Sequence, residues 1–262
     1  MVKKAFNILK WRFNDLKFNL NLLDPLSLVT YYTALFARRE YTKIRINGCD
    51  SQFLIRVNNS IDRNVLDYVF IKKYHLPPKE FLIITNSVIV DLGSNIGATL
   101  IDLSLRYPDS KIIGYEMNRA NFEIAEKNTR GFGNIKIIHQ AIWNRSCEIN
   151  YDLENQSDAF TVLSSKESIY KSEKVLCTTL PELFISNKIE KIDFLKMDIE
   201  GAELDIFDSP DIQWLKKVKS INIEFHNIDE IRLNKYIILF QEFGFIVYKS
   251  PDHWLSILAY KS

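Results

Sequence analysis

The sequence predicts a doubly wound α/β fold in which helices cover both faces of a mostly parallel sheet. From residue 87 onward, short apolar segments of strand length alternate with segments of helical length. Strands that are apolar throughout indicate a parallel sheet that is buried on both faces. The last two predicted strands, 245–248 and 255–260, are joined by a short Ser-Pro-Asp turn. We therefore expect the final strand to run antiparallel to its neighbour.

The other predicted elements alternate regularly ahead of this C-terminal pair. We expect strands at 88–90, 111–115, 135–139, 192–197 and 221–225. We expect helices at 97–107, 119–130, 180–186, 202–208 and 229–243. Residues 145–178 are less regular, and their Ser, Asp and Glu content predicts short strands joined by a mobile loop.

The first part of the chain has a different pattern, which predicts two domains. These are an N-terminal helical and β-hairpin cap at 1–85 and an α/β domain at 86–262. Residues 3–23 place bulky apolar side chains at helical spacing among basic ones. The basic face of this helix suits peripheral contact with an anionic membrane. Packing on the core, or on the second subunit of a homodimer, is the alternative that the pattern favours.

Three more signals describe the rest of the cap. Pro25 interrupts the first helix and suits the first turn of a second helix, which continues to about residue 39. Residues 42–58 alternate apolar and polar side chains on either side of Asn47-Gly48, which predicts a hairpin. A further helix is expected to run to Tyr74.

The composition argues against several classes of protein. The 262 residues are 47% hydrophobic and 26% charged, which is typical of a globular chain. The net charge of +1 gives no electrostatic support for a nucleic-acid partner. No apolar run reaches the roughly 18 residues of a transmembrane helix. Cys49, Cys147 and Cys177 are far apart in the sequence, which argues against a disulfide framework or a zinc site and favours a reduced, cytoplasmic setting.

The segment Asp91-Leu-Gly-Ser-Asn-Ile-Gly97 follows the first core strand and opens a helix. Ligands on open α/β sheets bind at this end of the strands, and glycine lets the backbone approach a ligand closely. The helix N-terminus attracts an anion, while Asp91 can take a cationic group directly or through water. The predicted cofactor-binding residues are Asp91, Gly93, Ser94, Asn95 and Gly97. A tight turn without a ligand is the alternative.

Glu116 ends the second core strand, 23 residues after Gly93. An acidic side chain at this place can accept hydrogen bonds from two ribose hydroxyls. An exposed carboxylate that caps a helix is the alternative. Together with the glycine loop, Glu116 predicts an adenosyl ligand. The adenine would lie near Met117, Ala141 and Ile142, although such side chains are equally consistent with plain core positions.

Carboxylates gather at the ends of the next two strands. Asp198, Glu200 and Glu203 follow one apolar strand, and like charges this close need a cation, a metal ion or raised pKa values. Capping of the next helix is the alternative for the two glutamates. Glu224 and His226 end the following strand and share one of its faces. We expect His226, Asp198 and Glu224 to be catalytic, because the pKa of histidine lies near neutrality and suits a general base.

At these motifs the chain resembles the FkbM family of S-adenosylmethionine-dependent methyltransferases. The matching segments are Val90-Asp-Leu-Gly-Ser-Asn-Ile-Gly97, Tyr115-Glu-Met-Asn118 and Ile192-Asp-Phe-Leu-Lys-Met-Asp-Ile-Glu-Gly-Ala-Glu203. The resemblance covers roughly residues 42–260, and its third segment is the most specific, because the glycine loop is common to most class I methyltransferases. It implies a Rossmann-like sheet of seven strands whose last strand is antiparallel.

The resemblance also implies a reaction, the transfer of a methyl group from S-adenosylmethionine. The usual acceptor is a hydroxyl oxygen of a sugar, glycan, polyketide or similar small molecule. By the family pattern, Glu116 holds the ribose, Asp198 faces the reacting centre, and the methionine end lies against Asp91, Gly93, Asn95 and Gly97. Met117 departs from the family by replacing a proline. Pro181 stands where an aspartate is common, which leaves the acceptor unassigned.

The predicted mechanism is direct displacement, in which the protein aligns an acceptor hydroxyl with the methyl group and the sulfur. His226 is the first candidate for the base that removes the hydroxyl proton, and Asp198 is the second. A divalent cation held by Asp198 and Glu224 is another way to acidify the hydroxyl. Three other functions stay open at this point. One is a nicotinamide-dependent oxidoreductase, which Asn95 in place of the fingerprint glycine argues against, and another is a non-catalytic adenosyl-binding module. The third is a nucleic-acid methyltransferase, which the near-neutral charge argues against.

Overall fold

The computed structural model describes residues 14–152, 172–251 and 256–262. The chain divides into two compact units between Lys73 and Tyr74. Three predicted features lie partly outside the described residues. They are residues 3–13 of the N-terminal helix, residues 153–171 of the irregular segment, and residues 252–255 of the C-terminal turn and the start of its following strand.

The first unit contains helices and a two-stranded hairpin. Its elements are α1, described from residue 14 to 22, α2 (Pro25–Phe36), β1 (Tyr41–Arg45), β2 (Gln52–Arg56) and α3 (Ser60–Leu66), which continues as a π-helix over Asp67–Lys72. The predicted hairpin is confirmed, and its strands are antiparallel. The predicted second helix is also confirmed, although it ends at Phe36 rather than at about residue 39. Pro25 occupies its first turn, and Asp24 accepts a hydrogen bond from the Ser27 N–H at 2.6 Å.

The hairpin forms the centre of the first unit because its alternating pattern buries one face. Ile44, Phe53 and Ile55 lie on that face and are almost completely buried. A buried ion pair joins the hairpin to α3. Arg56 donates to Asp62 through its backbone N–H at 2.8 Å and through its guanidinium at 2.5 Å.

The described residues of the second unit form ten strands, seven of which make up the predicted seven-stranded sheet. The strands are β3 (Val88–Leu92), β4 (Lys111–Glu116), β5 (Ile135–His139), β6 (Ala141–Ile142), β7 (Cys147–Asp152), β8 (Ser172–Thr178), β9 (Phe194–Met197), β10 (Ser220–Glu224), β11 (Ile246–Lys249) and β12 (Ser256–Tyr260). The main sheet has the order β11-β12-β10-β9-β3-β4-β5. Strand β12 pairs antiparallel with both of its neighbours, as predicted, whereas β9, β3, β4 and β5 pair in parallel.

The predicted helices of this unit are also present, and each end lies within one residue of its predicted position. They are α4 (Ala98–Arg106), α5 (Arg119–Thr129), α6 (Leu180–Ser186), α7 (Ala202–Phe207) and α8 (Glu230–Glu242). A short 3-10 helix at Gln213–Lys217 was not predicted. Pro181 lies in the first turn of α6, where Thr179 and Glu182 form a reciprocal capping box. This position suits proline because it requires no backbone N–H donor.

A small second sheet has the order β6-β8-β7. Its strands β7 and β8 confirm the short strands predicted within residues 145–178, whereas β6 was not predicted. Strand β6 is only two residues long, so no periodicity reveals it. The register places Cys147 opposite Cys177 on antiparallel strands, so two cysteines that are distant in the sequence are neighbours in the fold. All three cysteines are free thiols.

The strand order determines where a ligand can bind. From β3 the chain proceeds to β4 and β5 on one side, whereas β9 and β10 lie on the other side of β3. The connections therefore change direction at β3, and the carboxyl ends of β3 and β9 border a crevice. In open α/β sheets, this switch point is the usual place for a ligand. Both conspicuous motifs of the sequence, Asp91–Gly97 and Asp198–Glu203, lie there.

Candidate active site

The glycine loop after β3 has a backbone that most residues cannot adopt. Gly93, Asn95 and Gly97 have φ angles of 85°, 47° and 83°, all in the left-handed region. A Cβ atom at Gly93 would lie only 1.8 Å from the main-chain oxygen of Asp198. Gly93 is therefore required where the ends of β3 and β9 meet. This packing is a reason for the glycine that does not depend on a ligand.

A buried ion pair lies beneath this loop. Asp91 has no exposed surface, and the Lys196 ammonium lies 3.5 Å from its Oδ1 atom. The same ammonium lies 3.2 Å from Asp198 Oδ2 and donates to the Gly93 carbonyl oxygen at 3.4 Å. Burial raises the pKa of Asp91, and the lysine partly offsets this effect. Burial alone would lower the pKa of Lys196, but Asp198 and Asp91 raise it, so the lysine is a cation at neutral pH.

Glu116 lies at the end of β4 and is bonded to the loop. Its Oε2 accepts from the Asn95 N–H and its Oε1 accepts from the Asn118 N–H, both at 2.7 Å. The side chain is almost completely buried, and burial raises its pKa to about 7 against the two hydrogen bonds. The helix cap is Asn118, which accepts from the Asn121 N–H. Glu116 is therefore not the exposed helix cap of the alternative interpretation.

One acceptor atom of the loop is left without a donor. The Asn95 Oδ1 atom is buried and has no hydrogen-bond partner in the described part of the chain. The two Asp91 carboxylate oxygens also lack a hydrogen bond there, although Lys196 lies close to one of them. Buried acceptors of this kind normally find a donor. The loop thus suits a ligand that brings donors to it.

The three residues predicted near the adenine have mainly core contacts. Ile142 is buried in the largest hydrophobic cluster of the sheet. Ala141 is buried in a cluster that also contains Tyr151, and Met117 packs against that cluster. The Met117 carbonyl oxygen also lies 3.0 Å from His139 Nε2. Their role near an adenine stays a prediction.

The second motif surrounds His226 with carboxylates, as the sequence predicted. Its Nε2 atom lies 3.4 Å from Glu200 Oε2, 3.6 Å from Glu224 Oε1 and 3.7 Å from Asp198 Oδ1. Its Nδ1 atom lies 3.2 Å from Glu203 Oε1. A single imidazole is therefore placed among four acidic side chains at the ends of β9 and β10.

Glu203 has a second role in the backbone. It is completely buried and accepts hydrogen bonds from the Ile199 N–H at 2.9 Å and the Gly201 N–H at 2.8 Å. Glu203 therefore binds backbone N–H groups that precede α7, as in the capping alternative, but it also contacts His226 and so does more than cap the helix. Glu200 has a left-handed backbone with φ of 57° and lies beside the imidazole.

The carboxylates change the titration of the cluster. Burial would lower the pKa of His226, but Glu203, Glu200 and Asp198 together raise it to about 9. Burial and the nearby Asp198 raise the pKa of Glu224 to about 7. At neutral pH the imidazole of the free protein is therefore protonated, and Glu224 is partly protonated.

Three side chains of this cluster have the spacing of a metal site. One ligand atom from each of Asp198, Glu224 and His226 lies within 4.8 Å of the others. Carboxylate oxygen and imidazole nitrogen are donors that divalent ions such as Mn²⁺ and Zn²⁺ accept. The sequence anticipated Asp198 and Glu224 as ligands, and the structure adds His226.

The family follows from a comparison with known sequences. The profile of the family described as the methyltransferase FkbM domain matches residues 91–260. The chain belongs to the FkbM methyltransferase family. The protein is therefore an S-adenosylmethionine-dependent methyltransferase. The match also decides against the nicotinamide-dependent oxidoreductase and the non-catalytic module.

This FkbM methyltransferase is similar to a known methyltransferase sequence and to several solved structures. Methyltransferase sdnD of Sordaria araneosa is 22% identical over 202 residues, which cover 65% of this chain and 78% of the relative. Among solved structures, fibrillarin of Aeropyrum pernix with natively bound S-adenosyl-L-methionine is 15% identical and covers 71% of this chain and 70% of its own, with a TM-score of 0.41. Precorrin-6y C5,15-methyltransferase of Geobacter metallireducens is 13% identical, with coverage of 71% and 94% and a TM-score of 0.39.

Lys196 is the site residue that the sequence reasoning missed. It lies in an apolar strand, Phe194–Met197, and a charge in a strand that is buried on both faces needs a partner. That rule could have found it. In this FkbM methyltransferase the lysine lies between Asp91 and Asp198 and so connects the two motifs.

Proposed function

We propose that this methyltransferase acts on a hydroxyl oxygen of a small molecule or glycan, such as a sugar or a polyketide. The observation that carries the proposal is the position of His226 among Asp198, Glu200 and Glu224, next to the glycine loop. A hydroxyl must lose its proton before or during methyl transfer, so the acceptor side needs a group that takes a proton. An acceptor that is already ionised at neutral pH would need no base, and hydrogen-bond donors that position it would suffice.

The cofactor half of the site supports this assignment. S-adenosylmethionine supplies an electrophilic methyl group on a good leaving group. Glu116 would accept from the ribose hydroxyls, and the buried Asn95 Oδ1 atom would accept from the amino-acid end. Asp91 would act through Lys196 and the loop, because its own carboxylate is completely buried. Ser94, Gly93 and Gly97 would shape the main chain around the ligand.

We assign the base to His226, with Asp198 beside it and Glu224 as a further proton acceptor. The imidazole is protonated in the free protein because its pKa is raised to about 9. An additional positive charge in the crevice would offset the carboxylates and lower that pKa. The histidine would then be neutral only when the site is loaded, with Glu203 holding its ring in place.

A divalent cation is the alternative on this side of the site. Asp198, Glu224 and His226 would hold it, and it would acidify the acceptor hydroxyl directly. In that case His226 would be a ligand and not the base. A chelator separates the two versions. We expect methylation to continue after extensive treatment with a chelator; an activity that is lost and returns with added Mg²⁺, Mn²⁺ or Zn²⁺ would assign the ion.

The test of the proposal is an acceptor screen that measures formation of S-adenosylhomocysteine. Hydroxylated sugars, glycans and polyketides form one set, and thiols, amines and RNA form the other. We expect turnover in the first set and an oxygen-linked methyl group by mass spectrometry. A methyl group on nitrogen, sulfur or carbon would contradict the proposal. The net charge of +1 supports the absence of a nucleic-acid partner.

We also propose the cytoplasm as the place of action, in line with three free cysteines. In the described ranges, every helix is too short or too polar to cross a bilayer. The homodimer expected from the N-terminal pattern stays a proposal, which the measurement of molar mass described below also tests.

A further inference from the structure

Helix α2 of the first unit presents an apolar face to solvent. Leu26, Val29 and Phe36 keep 76%, 63% and 92% of their surface exposed, and Thr33 lies between them on the same side. The opposite side of α2 is buried against the hairpin through residues such as Tyr31. We refer to Leu26, Val29, Thr33 and Phe36 as the α2 face. Single exposed apolar residues are common, but a contiguous row on one helix indicates a contact surface.

The hydroxyls of both threonines after the first turn of this helix are bonded within the helix. The Thr30 hydroxyl donates to the Leu26 carbonyl at 2.8 Å, and the Thr33 hydroxyl donates to the Val29 carbonyl at 2.7 Å. No residue from 25 to 36 is charged. A hydroxyl that is bonded to the preceding turn can leave water at little cost. The α2 face therefore suits an apolar medium rather than a polar partner.

Positive charge lies just beyond the C-terminal end of the helix. Arg38 and Arg39 are both exposed and follow Phe36 within three residues, and Glu40 leaves their combined charge positive. Basic side chains at the edge of an apolar helix face are typical of helices that lie in the interface of a bilayer with anionic lipids. Their apolar stems can stay beside the helix while their charged ends reach lipid phosphates.

We propose that the α2 face is a peripheral membrane-contact surface that inserts into the interface of an anionic bilayer. A second copy of the chain fits less well. Complete burial of these side chains would remove on the order of 400 Å² of surface, about half of the ~800 Å² per partner of a stable dimer. The contact differs from the one predicted for residues 3–23, because it depends on α2.

The test is flotation of the full chain with phosphatidylcholine vesicles, with and without phosphatidylglycerol. The test variant carries Leu26→Ser, Val29→Ser and Phe36→Ser. The matched control carries Ile231→Ser and Ile238→Ser on α8, which are 84% and 55% exposed. A second variant, Phe36→Ser alone, is the smallest change at the most exposed position. Thermal unfolding checks that every variant is folded.

We expect wild type and the α8 control to bind anionic vesicles equally. The triple variant should bind at least about tenfold more weakly. The pair Arg38→Gln and Arg39→Gln should weaken binding to anionic vesicles by about fivefold per charge and leave phosphatidylcholine vesicles unaffected. Binding that survives in the triple variant, or no binding by wild type, would overturn the proposal. So would a dimer in solution, measured by light scattering, that the triple variant dissociates without any vesicle binding. Methyl transfer is not needed for any of these readouts.

Discussion

The carboxylates in the two halves of the proposed site have different partners. On the proposed cofactor side, Glu116 accepts from two backbone N–H groups and Asp91 lies beside Lys196. On the proposed acceptor side, four carboxylates surround one imidazole, and the Lys196 ammonium lies 3.2 Å from one of them, Asp198. The cofactor side therefore contains its own compensating groups, whereas the acceptor side carries an excess of negative charge.

This difference indicates which half is preorganised and which half changes on loading. Main-chain donors and a buried lysine keep their positions whatever is bound. Carboxylates that share one imidazole respond to any added cation, because each one contributes to the raised pKa of that imidazole. Mutations on the acceptor side should therefore change turnover, whereas mutations on the cofactor side should change stability and cofactor affinity.

The largest expected effect is that of His226→Ala on turnover. Removal of a general base lowers turnover by about 10² to 10⁴-fold, so we expect a loss on the order of a thousandfold. The affinity for S-adenosylhomocysteine, measured by calorimetry, should change by less than about threefold, because the contacts predicted for the cofactor lie elsewhere.

Glu200→Gln is the matched change in the same cluster. It removes a neighbour of the imidazole but keeps the base, so most of the turnover should remain. Wild-type turnover in His226→Ala would show that the histidine is not the base. A parallel loss of cofactor affinity would show that the two halves are not separable in this way.

The next effect is that of Lys196→Met on the free energy of unfolding. Without the lysine, the completely buried Asp91 loses the cation that lies 3.5 Å from its Oδ1 atom, and breaking such a pair destabilises by about 3–5 kcal/mol. Urea denaturation measures the change. The double variant Asp91→Asn with Lys196→Met removes both charges and should recover much of the loss.

Lys219→Met provides the control for Lys196→Met. Lys219 also pairs with a buried aspartate, Asp193 at 2.9 Å, but its side chain is 42% exposed and Lys191 lies 3.3 Å from the same oxygen. Because Lys219 is partly exposed and Lys191 stays beside the same carboxylate, the loss of Lys219 should cost about 1 kcal/mol or less. Equal losses for the two lysines would contradict the special role of Lys196 at the cofactor side.

Much of the fold could be predicted because its elements are local and periodic. The strand at Val88–Leu92 and the helix at Ala98–Arg106 follow from short apolar runs and the glycines between them. Strand β6 could not be predicted, because two residues carry no period and pair only with β8, which is distant in the sequence. The same limit concealed the neighbouring positions of Cys147 and Cys177.

The site was predictable to a similar extent. The ends of consecutive strands meet at one edge, so the proximity of Asp198, Glu224 and His226 followed from strand periodicity. The ion pair of Asp91 with Lys196 did not, because it depends on the order of strands in the sheet. Neither did the close packing of Gly93 on Asp198, which requires knowledge that β3 and β9 are adjacent.

The smallest expected effect is a pH dependence of cofactor binding on the preorganised side. The pKa of Glu116 is raised to about 7 by burial, so this carboxyl is largely protonated at about pH 6 and ionised at about pH 8. The ionised form accepts one more hydrogen bond from a ribose. We expect the affinity for S-adenosylhomocysteine to be up to about tenfold lower at about pH 6 than at about pH 8. A tenfold change corresponds to about one pKa unit.

The stability of the free protein should respond to the same group in the opposite direction. A carboxyl whose pKa is raised in the folded state binds its proton more tightly there than in the unfolded state. Its contribution to the free energy of unfolding is complete below its ordinary pKa of 4.5 and is lost as the pH rises through about 7. Glu116→Gln should remove both dependences, whereas Glu123→Gln on the exposed side of α5 should keep them. If Glu116→Gln retains the pH dependence of binding, another group such as His139 controls it, and the cofactor side is less preorganised than its hydrogen bonds indicate.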